Sequence, residues 1–395
     1  MTAATRRRAT VLGLALATAL TLSFCPSADA TVASAHGDTV PAVTDLGPTS
    51  FSNPGPYAVG ESTLKLKTNK APVEVWYPAT PESVVGKPEA SYDMVTWLPD
   101  FLKKILPEGF SLTYPSGGVR GVPVADGTFP LVVFSHGYAG FRDQSSFLAA
   151  WLASWGFVVA APDQHSRDLT AVLGQKAPGK ATTDIGDLRT TITLMRTQDA
   201  TSGKRFFEHI DMKKVAAVGH SAGAAAVEAL AAVDPRVDTF VSMAGASVGA
   251  FGQDKGGAFN KLPTVPGMIM AATDDGVVDS GGLVKAYAKL KEPKRLVTVG
   301  GGHHAFSDLC EVGAAQGGLL AVAEAVHFPI SDKLKALASD GCFPPALPPT
   351  EAWPAIRQAV VAQLRHVFGF DTSTAGLDGL VEAFPGVVAE SKSAG

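Results

Sequence analysis

From Leu131 onward, short apolar runs alternate with helix-like stretches, and this rhythm constrains the fold more than any other feature of the chain. The runs are Leu131–Phe134, Phe157–Ala161, Val215–Val218, Thr239–Met243, Met268–Ala272 and Leu296–Val299. Between them lie Gln144–Trp155, Ile185–Thr197, Ala222–Ala232 and Gly282–Lys291. In the second of these stretches Ile185, Leu188, Ile192 and Met195 recur at helical spacing. Strands that alternate with helices predict an α/β fold: a mostly parallel, doubly wound sheet with helices on both faces. Ala352–Phe368 reads as a final amphipathic helix, and there are no internal repeats.

The segments outside this rhythm divide the chain. Arg6-Arg7-Arg8, the apolar stretch Val11–Phe24 and Ala28-Asp29-Ala30 follow the pattern of a secretory signal peptide, with cleavage expected after Ala30. About 14 apolar residues are too few to span a bilayer comfortably, so no membrane span is expected. Residues 31–55, rich in Thr, Ser, Pro and Gly, read as a flexible leader. Residues 56–370 form the expected catalytic-size domain. It opens with two strand-like runs, Tyr57–Lys67 and Val73–Tyr77, joined by a hairpin turn at Thr68-Asn69-Lys70. A long insertion at 81–128 carries Met94–Leu98 and Phe101-Leu102, and reads either as a lid or as an elaboration packed on the core. Residues 371–395 read as a C-terminal tail with one weakly helical piece, Leu377–Phe384, and a mobile polar end.

Cysteine and charge usage narrow the setting. Cys25 leaves with the signal peptide, and Cys310 and Cys342 remain as an even pair in an oxidising compartment. Their disulfide closes a loop of about 30 residues and contributes about 3–4 kcal/mol on the chain-entropy model. The formal net charge of −4 argues against a general nucleic-acid binder.

In open α/β sheets the chemistry collects at the carboxyl ends of the strands. After Val215–Val218 come Gly219-His220-Ser221-Ala222-Gly223, a strand–turn–helix with a serine on the turn. Flanking glycines let strand and helix approach closely and hold the serine hydroxyl exposed. After Leu131–Phe134 come Ser135-His136-Gly137-Tyr138-Ala139-Gly140, where backbone N–H groups could stabilise a developing oxyanion. The expected donors are the amides of Tyr138 and Ala222. Tyr138 and His220 are the expected substrate contacts, and His136 is read as a brace for its loop. After Met268–Ala272 come Thr273-Asp274-Asp275, with Asp275 preferred as the acid over Asp274, and Asp279 remote. After Leu296–Val299 comes a glycine-rich loop with His303 and His304. A histidine there suits a general base, with His303 preferred. No metal or other cofactor is expected, because two adjacent histidines cannot easily turn both rings to one ion.

The order Ser221, Asp275, His303, each after its own strand, resembles that of secreted bacterial α/β-hydrolases. More narrowly, the chain resembles the group of platelet-activating-factor acetylhydrolases, dienelactone hydrolases and cutinase-type polyester hydrolases, over roughly Gly55 to Cys310. Val73–Pro78, Ser135–Tyr138, Trp155–Val159, Asp275–Val278 and His303–Asp308 carry the resemblance. It implies an α/β-hydrolase fold and ester hydrolysis. It also implies that Tyr138 lines the acyl cleft and that Asp275 and His303 are the acid and the base. Three departures stand out. Ala222 follows the serine where many cutinase-type enzymes have methionine. No tryptophan follows Thr239–Met243, and a dienelactone hydrolase would carry cysteine at position 221.

The expectation is therefore a secreted serine hydrolase that cleaves small-molecule, lipid or polymeric esters through an acyl-enzyme. The rivals are an acyltransferase or a lipase or polyester hydrolase on the same scaffold, and a non-catalytic binding protein. Acyl-chain length and oligomeric state are left open.

Overall fold

The computed structural model describes residue 40 and residues 42–174, 182–246, 257–328 and 330–395. The expected signal peptide, with Cys25, and the leader up to residue 39 lie outside the described residues. In chain order the strands are β1 (Ala58–Lys65), β2 (Pro72–Ala79), β3 (Ser91–Asp93), β4 (Thr113–Pro115), β5 (Val119–Arg120), β6 (Phe129–Ser135), β7 (Val158–Pro162), β8 (Ile210–His220), β9 (Thr239–Met243), β10 (Gly267–Ala272), β11 (Lys294–Val299) and β12 (Val388–Ala394). The helices are α1 (Pro81–Val84), α2 (Asp100–Lys103), α3 (Ser146–Ser154), α4 (Leu169–Leu173), α5 (Thr182–Ala200), α6 (Ala222–Ala231), α7 (Ser280–Lys289), α8 (Gly318–Ala325), α9 (Asp332–Ser339), α10 (Pro349–Val367) and α11 (Leu380–Ala383).

Ten strands form one sheet in the order β12-β11-β10-β9-β8-β6-β7-β2-β1-β5. The six apolar runs read from the sequence are its parallel centre, β7-β6-β8-β9-β10-β11. β1 and β2 form the expected antiparallel hairpin, and β2 joins β7 antiparallel. These strands are apolar because both faces are covered. In β8, Val215 and Ala217 point into one core layer with Leu188, Ile192 and Met195 of α5 and Leu230 of α6. Ala216 and Val218 point into the other, with Leu148 and Leu152 of α3 and Ile356 and Val360 of α10. This alternation follows from the two-residue period of a strand.

The chain runs from β6 to β7 in one direction along the sheet and from β8 to β11 in the other. The strand order therefore reverses between β6 and β8, and a crevice opens at their carboxyl ends. That is where Ser135–Gly140 and the Ser221 turn sit.

The ends of the domain depart from the sequence reading. Phe51 is fully buried, although it falls in the segment read as a flexible leader. Its N–H donates to Gln358 Oε1 at 2.6 Å, and its carbonyl accepts from Trp151 Nε1 at 2.8 Å. The tail is not a mobile end either, because β12 pairs antiparallel with β11 and buries Val388. Its sequence is mostly small and polar because an edge strand has one paired side and an open surface, and that composition concealed it. Buried Gln358 ties both ends to α10, since its Nε2 donates to Gly376 O at 2.7 Å. Gln358→Leu orphans the Phe51 N–H and the Gly376 carbonyl. It is expected to lower unfolding free energy in urea by about 1–3 kcal/mol; an unchanged denaturation midpoint would contradict the tie.

Candidate active site

Ser221 sits between β8 and α6 with φ 56° and ψ −122°, a left-handed conformation that an L-residue adopts only under constraint. Three glycines make the turn sterically possible. A Cβ on Gly219 would meet the Gly223 carbonyl, one on Gly223 the Ser135 and His136 carbonyls, and one on Gly245 the Ser221 carbonyl. The Ser221 N–H donates to Met243 O at 2.8 Å, which ties the turn to the end of β9. Ala222 is the first residue of α6, so its N–H has no intrahelical acceptor.

The loop after β6 is held from behind. Arg167, almost fully buried, donates through Nη1 to the carbonyls of His136 and Gly137, the latter at 2.7 Å. Its Nη2 donates to Ser135 Oγ at 2.9 Å, and its Nε to Asp184 Oδ2 at 2.8 Å. The Gly137 carbonyl also accepts from Gly140 N–H at 3.2 Å. In a trans peptide the next N–H points opposite to the carbonyl. Fixing Gly137 O toward Arg167 therefore turns the Tyr138 N–H away from it. Among the described residues that N–H and the Ala222 N–H donate to nothing.

His303 and Asp275 meet as the sequence reading expects them to. His303 Nδ1 donates to Asp275 Oδ2 at 2.9 Å, with both side chains buried. Asp275 Oδ1 accepts from the N–H groups of Val277 and Val278 at 2.9 and 2.7 Å, so the carboxylate cannot swing away. Asp274 instead accepts from Thr273 Oγ1 and is exposed. Asp279 caps α7. His303 Nε2 is buried and has no hydrogen-bond partner among the described residues.

The other histidines are committed elsewhere. His304 Nε2 donates to Leu337 O at 2.7 Å, and its Nδ1 accepts from Ser307 Oγ at 3.0 Å. His136 Nε2 accepts from Gln164 N–H at 2.9 Å, and its Nδ1 donates to Gly137 O at 2.8 Å. His220 was expected to touch substrate, but the structure uses it as a strut. Its Nε2 donates to His303 O at 3.0 Å, and its Nδ1 accepts from Gln144 Nε2 at 2.9 Å. Gln144 Oε1 in turn accepts from Gly137 N–H at 3.0 Å. One Gln–His pair thus links the loop after β6, the Ser221 turn and the His303 loop.

Burial disfavours the charged form of all three rings. His136 and His304 are each pushed down to about 4, and His220 falls well below its ordinary range. Arg167 adds repulsion at His136, and His303 adds it at His304 and His220.

A further brace comes from a segment that sequence reasoning passed over. Cys310 and Cys342 are joined, as expected, and the loop they clip carries α8 and α9. Asp340 lies at its end. Its Oδ1 accepts from His303 N–H at 2.6 Å, its Oδ2 from Gly276 N–H at 3.0 Å, and its carbonyl from His304 N–H at 3.2 Å. One carboxylate holds the acid loop and the histidine loop together. Neither Asp340 nor Gln144 and Arg167 stands in any short motif, so only long-range contacts reveal them.

Ser221, Ala222 and Tyr138 open onto a cleft of about 730 Å³ whose far wall is α9 and the residues before it. Tyr138 is the exposed member at 44% accessibility. The carboxylates of Glu61, Glu74 and Asp143 form one cluster with metal-binding spacing among the described residues. Arg120 and Arg142 pair with it. None of its members bonds to Ser221, Asp275 or His303, so it takes no part in the site.

The fold is that of the α/β-hydrolases. A solved ferulic acid esterase from Streptomyces cinnamoneus superposes with a TM-score of 0.56 at 19% identity, covering 87% of this chain and 99% of that one. The family described as platelet-activating factor acetylhydrolase, isoform II, matches residues 55–204, a stretch that includes the loop after β6 and ends before Ser221. No curated protein is matched by the sequence. The chain resembles the acetylhydrolase and esterase type of α/β-hydrolase, which supports a hydrolase acting on esters.

Because the folded state holds His304 neutral, the unfolded chain binds the extra proton first. The stability His304 confers is present above about pH 6.5 and is lost as pH falls toward about 4. His304→Gln should lower the thermal midpoint at pH 7 yet lose less than the wild type between pH 7 and pH 4.5. An equal or steeper acid loss in the variant would contradict a neutral buried ring.

Proposed function

We propose that this chain is a serine carboxylic-ester hydrolase that works through Ser221, His303 and Asp275. One observation carries the reading. His303 is a buried imidazole with one nitrogen anchored on a carboxylate and the other left unpaired, and its carbonyl accepts from His220, the residue that precedes a serine on a strained turn. A base of this kind is held in one tautomer and keeps its free nitrogen available for a proton.

Ser221 Oγ attacks the ester carbonyl while His303 Nε2 takes its proton. The carbonyl oxygen becomes an oxyanion and accepts from the N–H groups of Tyr138 and Ala222, worth about 3–4 kcal/mol per donor. The intermediate collapses, the bond to the alcohol breaks, and His303 gives that alcohol its proton. Water, deprotonated by His303, then attacks the acyl-enzyme and frees the acid and Ser221. Asp275 stabilises the imidazolium in both halves. None of the steps calls on a metal or an organic cofactor.

Export is part of the proposal. It is supported by the signal-like sequence of residues 1–30 and by the disulfide, which persists in oxidising compartments. No helix among the described residues is long and apolar enough to cross a membrane.

Two variants test the reading. Ser221→Ala should abolish turnover of a nitrophenyl ester, a loss on the order of a million-fold in kcat, with an unchanged circular dichroism spectrum. Wild-type rates in that variant would sink the assignment. Asp340→Ala frees the backbone of His303 without touching its side chain, and misplacement of a catalytic group by ~1 Å can lower rates about a hundredfold. The expected result is a kcat at least about tenfold lower with KM little changed; an unaltered kcat would show that the clamp is dispensable.

A further inference from the structure

Beside the Ser221 cleft lies a second cavity of about 130 Å³. Three segments distant in sequence supply most of its apolar wall. Met94, Leu98, Leu102 and Leu112 come from the 81–128 insertion. Leu169 and Leu173 come from α4, and Leu319, Val322, Val326 and Leu334 from the disulfide-clipped roof. The polar residues on its wall are Tyr138 and His304, and both ring nitrogens of His304 are already bonded within the protein. A ligand with hydrogen-bonding groups would lose its water there without replacement, whereas hydrocarbon would not.

Tyr138, Leu173, Phe328, Leu334 and Leu337 line both the cavity and the cleft, so the cavity adjoins the cleft onto which Ser221 opens. The sides of the cleft are not equivalent. Tyr138, whose N–H faces the acyl carbonyl in the proposed reaction, stands at the cavity mouth. Gly276 and Val277, next to the acid that orients His303, line the cleft alone, together with Ser331 and Lys333. The leaving alcohol must depart near His303, which protonates it. The acyl tail, on the other side of the carbonyl, then points past Tyr138.

Resting on the Ser221 reading, we propose that this cavity is an acyl-binding site that selects esters of medium-length, unbranched aliphatic acids. An apolar cavity of about 150 Å³ stays dry and takes up benzene, which sets the acyl length at about six to eight carbons. The roof segment is clipped at its ends by the Cys310–Cys342 disulfide, and a volume of about 130 Å³ leaves too little room for a palmitoyl chain.

The test is kcat/KM for nitrophenyl esters from acetyl to palmitoyl on the full chain. The expected profile rises at least about tenfold from acetyl to octanoyl, since each buried methylene adds to binding, and falls again by palmitoyl. A flat profile, a maximum at acetyl or a continuous rise to palmitoyl would overturn the proposal. Ala323→Trp places a large ring in the cavity from α8 and should lower the octanoyl-to-acetyl ratio at least about tenfold; an unaltered ratio would place the chain elsewhere. The wild-type profile decides the matter even where this variant does not fold. Ser221→Ala run on the same series separates the two readings. Rates that vanish with the serine but show no chain-length maximum refute the acyl site alone. Rates that survive the substitution refute the hydrolase reading itself.

Discussion

Everything at the site depends on how closely α6 packs against the end of β6. Gly223, in the first turn of α6, lies against the carbonyls of Ser135 and His136 with no room for a methyl group. Tyr138 and Ala222, on either side of that contact, line the same cleft. The positive φ of Ser221 sits in the turn that makes the contact, where packing on both faces of the sheet balances its strain. Remove the close approach, and neither the Ser221 turn nor the loop after β6 is held in place.

Around this contact the protein has built a polar scaffold behind the reacting groups. Arg167 draws the carbonyls of the β6 loop backward. Gln144 and His220 link that loop to the backbone of His303, and Asp340 links His303 to the acid loop. Each of these groups is buried or part-buried and hydrogen-bonded, and orphaning any one of them would leave polar atoms unsolvated. The proposed chemistry asks that Ser221, His303 and Asp275 stay in register to within a fraction of an ångström. Packing of alanines and valines alone does not fix loops that well, and charge-assisted hydrogen bonds to backbone do. The disulfide extends the same principle, since it tethers Asp340 and the roof over the cleft with one covalent link.

The central sheet was legible because its parallel strands are covered on both faces and therefore read as unbroken apolar runs. The positions of Ser221, Asp275 and His303 were legible because each follows such a run. What the sequence concealed falls into two kinds. β12 and the packed segment around Phe51 are polar or irregular, and they are ordered by partners distant in sequence, as Gln358 is to Phe51. Gln144, Arg167 and Asp340 have no local signature, since a brace can come from any element that passes nearby. His220 shows the converse hazard. A residue next to Ser221 in sequence does not line the cleft, because alternate residues along a strand face opposite ways. The 81–128 insertion lines the cavity beside the cleft, whereas the wall facing Ser221 comes from α9 and the residues before it.

The central claim is that Ser221 is a nucleophile activated by His303. The most direct measurement is mass spectrometry of the protein after treatment with a fluorophosphonate, with the modified peptide sequenced. The account predicts one covalent adduct per chain, on Ser221, formed far more slowly when His303 is replaced by glutamine. Failure to label, or an adduct on another residue with Ser221 unmodified, would contradict it.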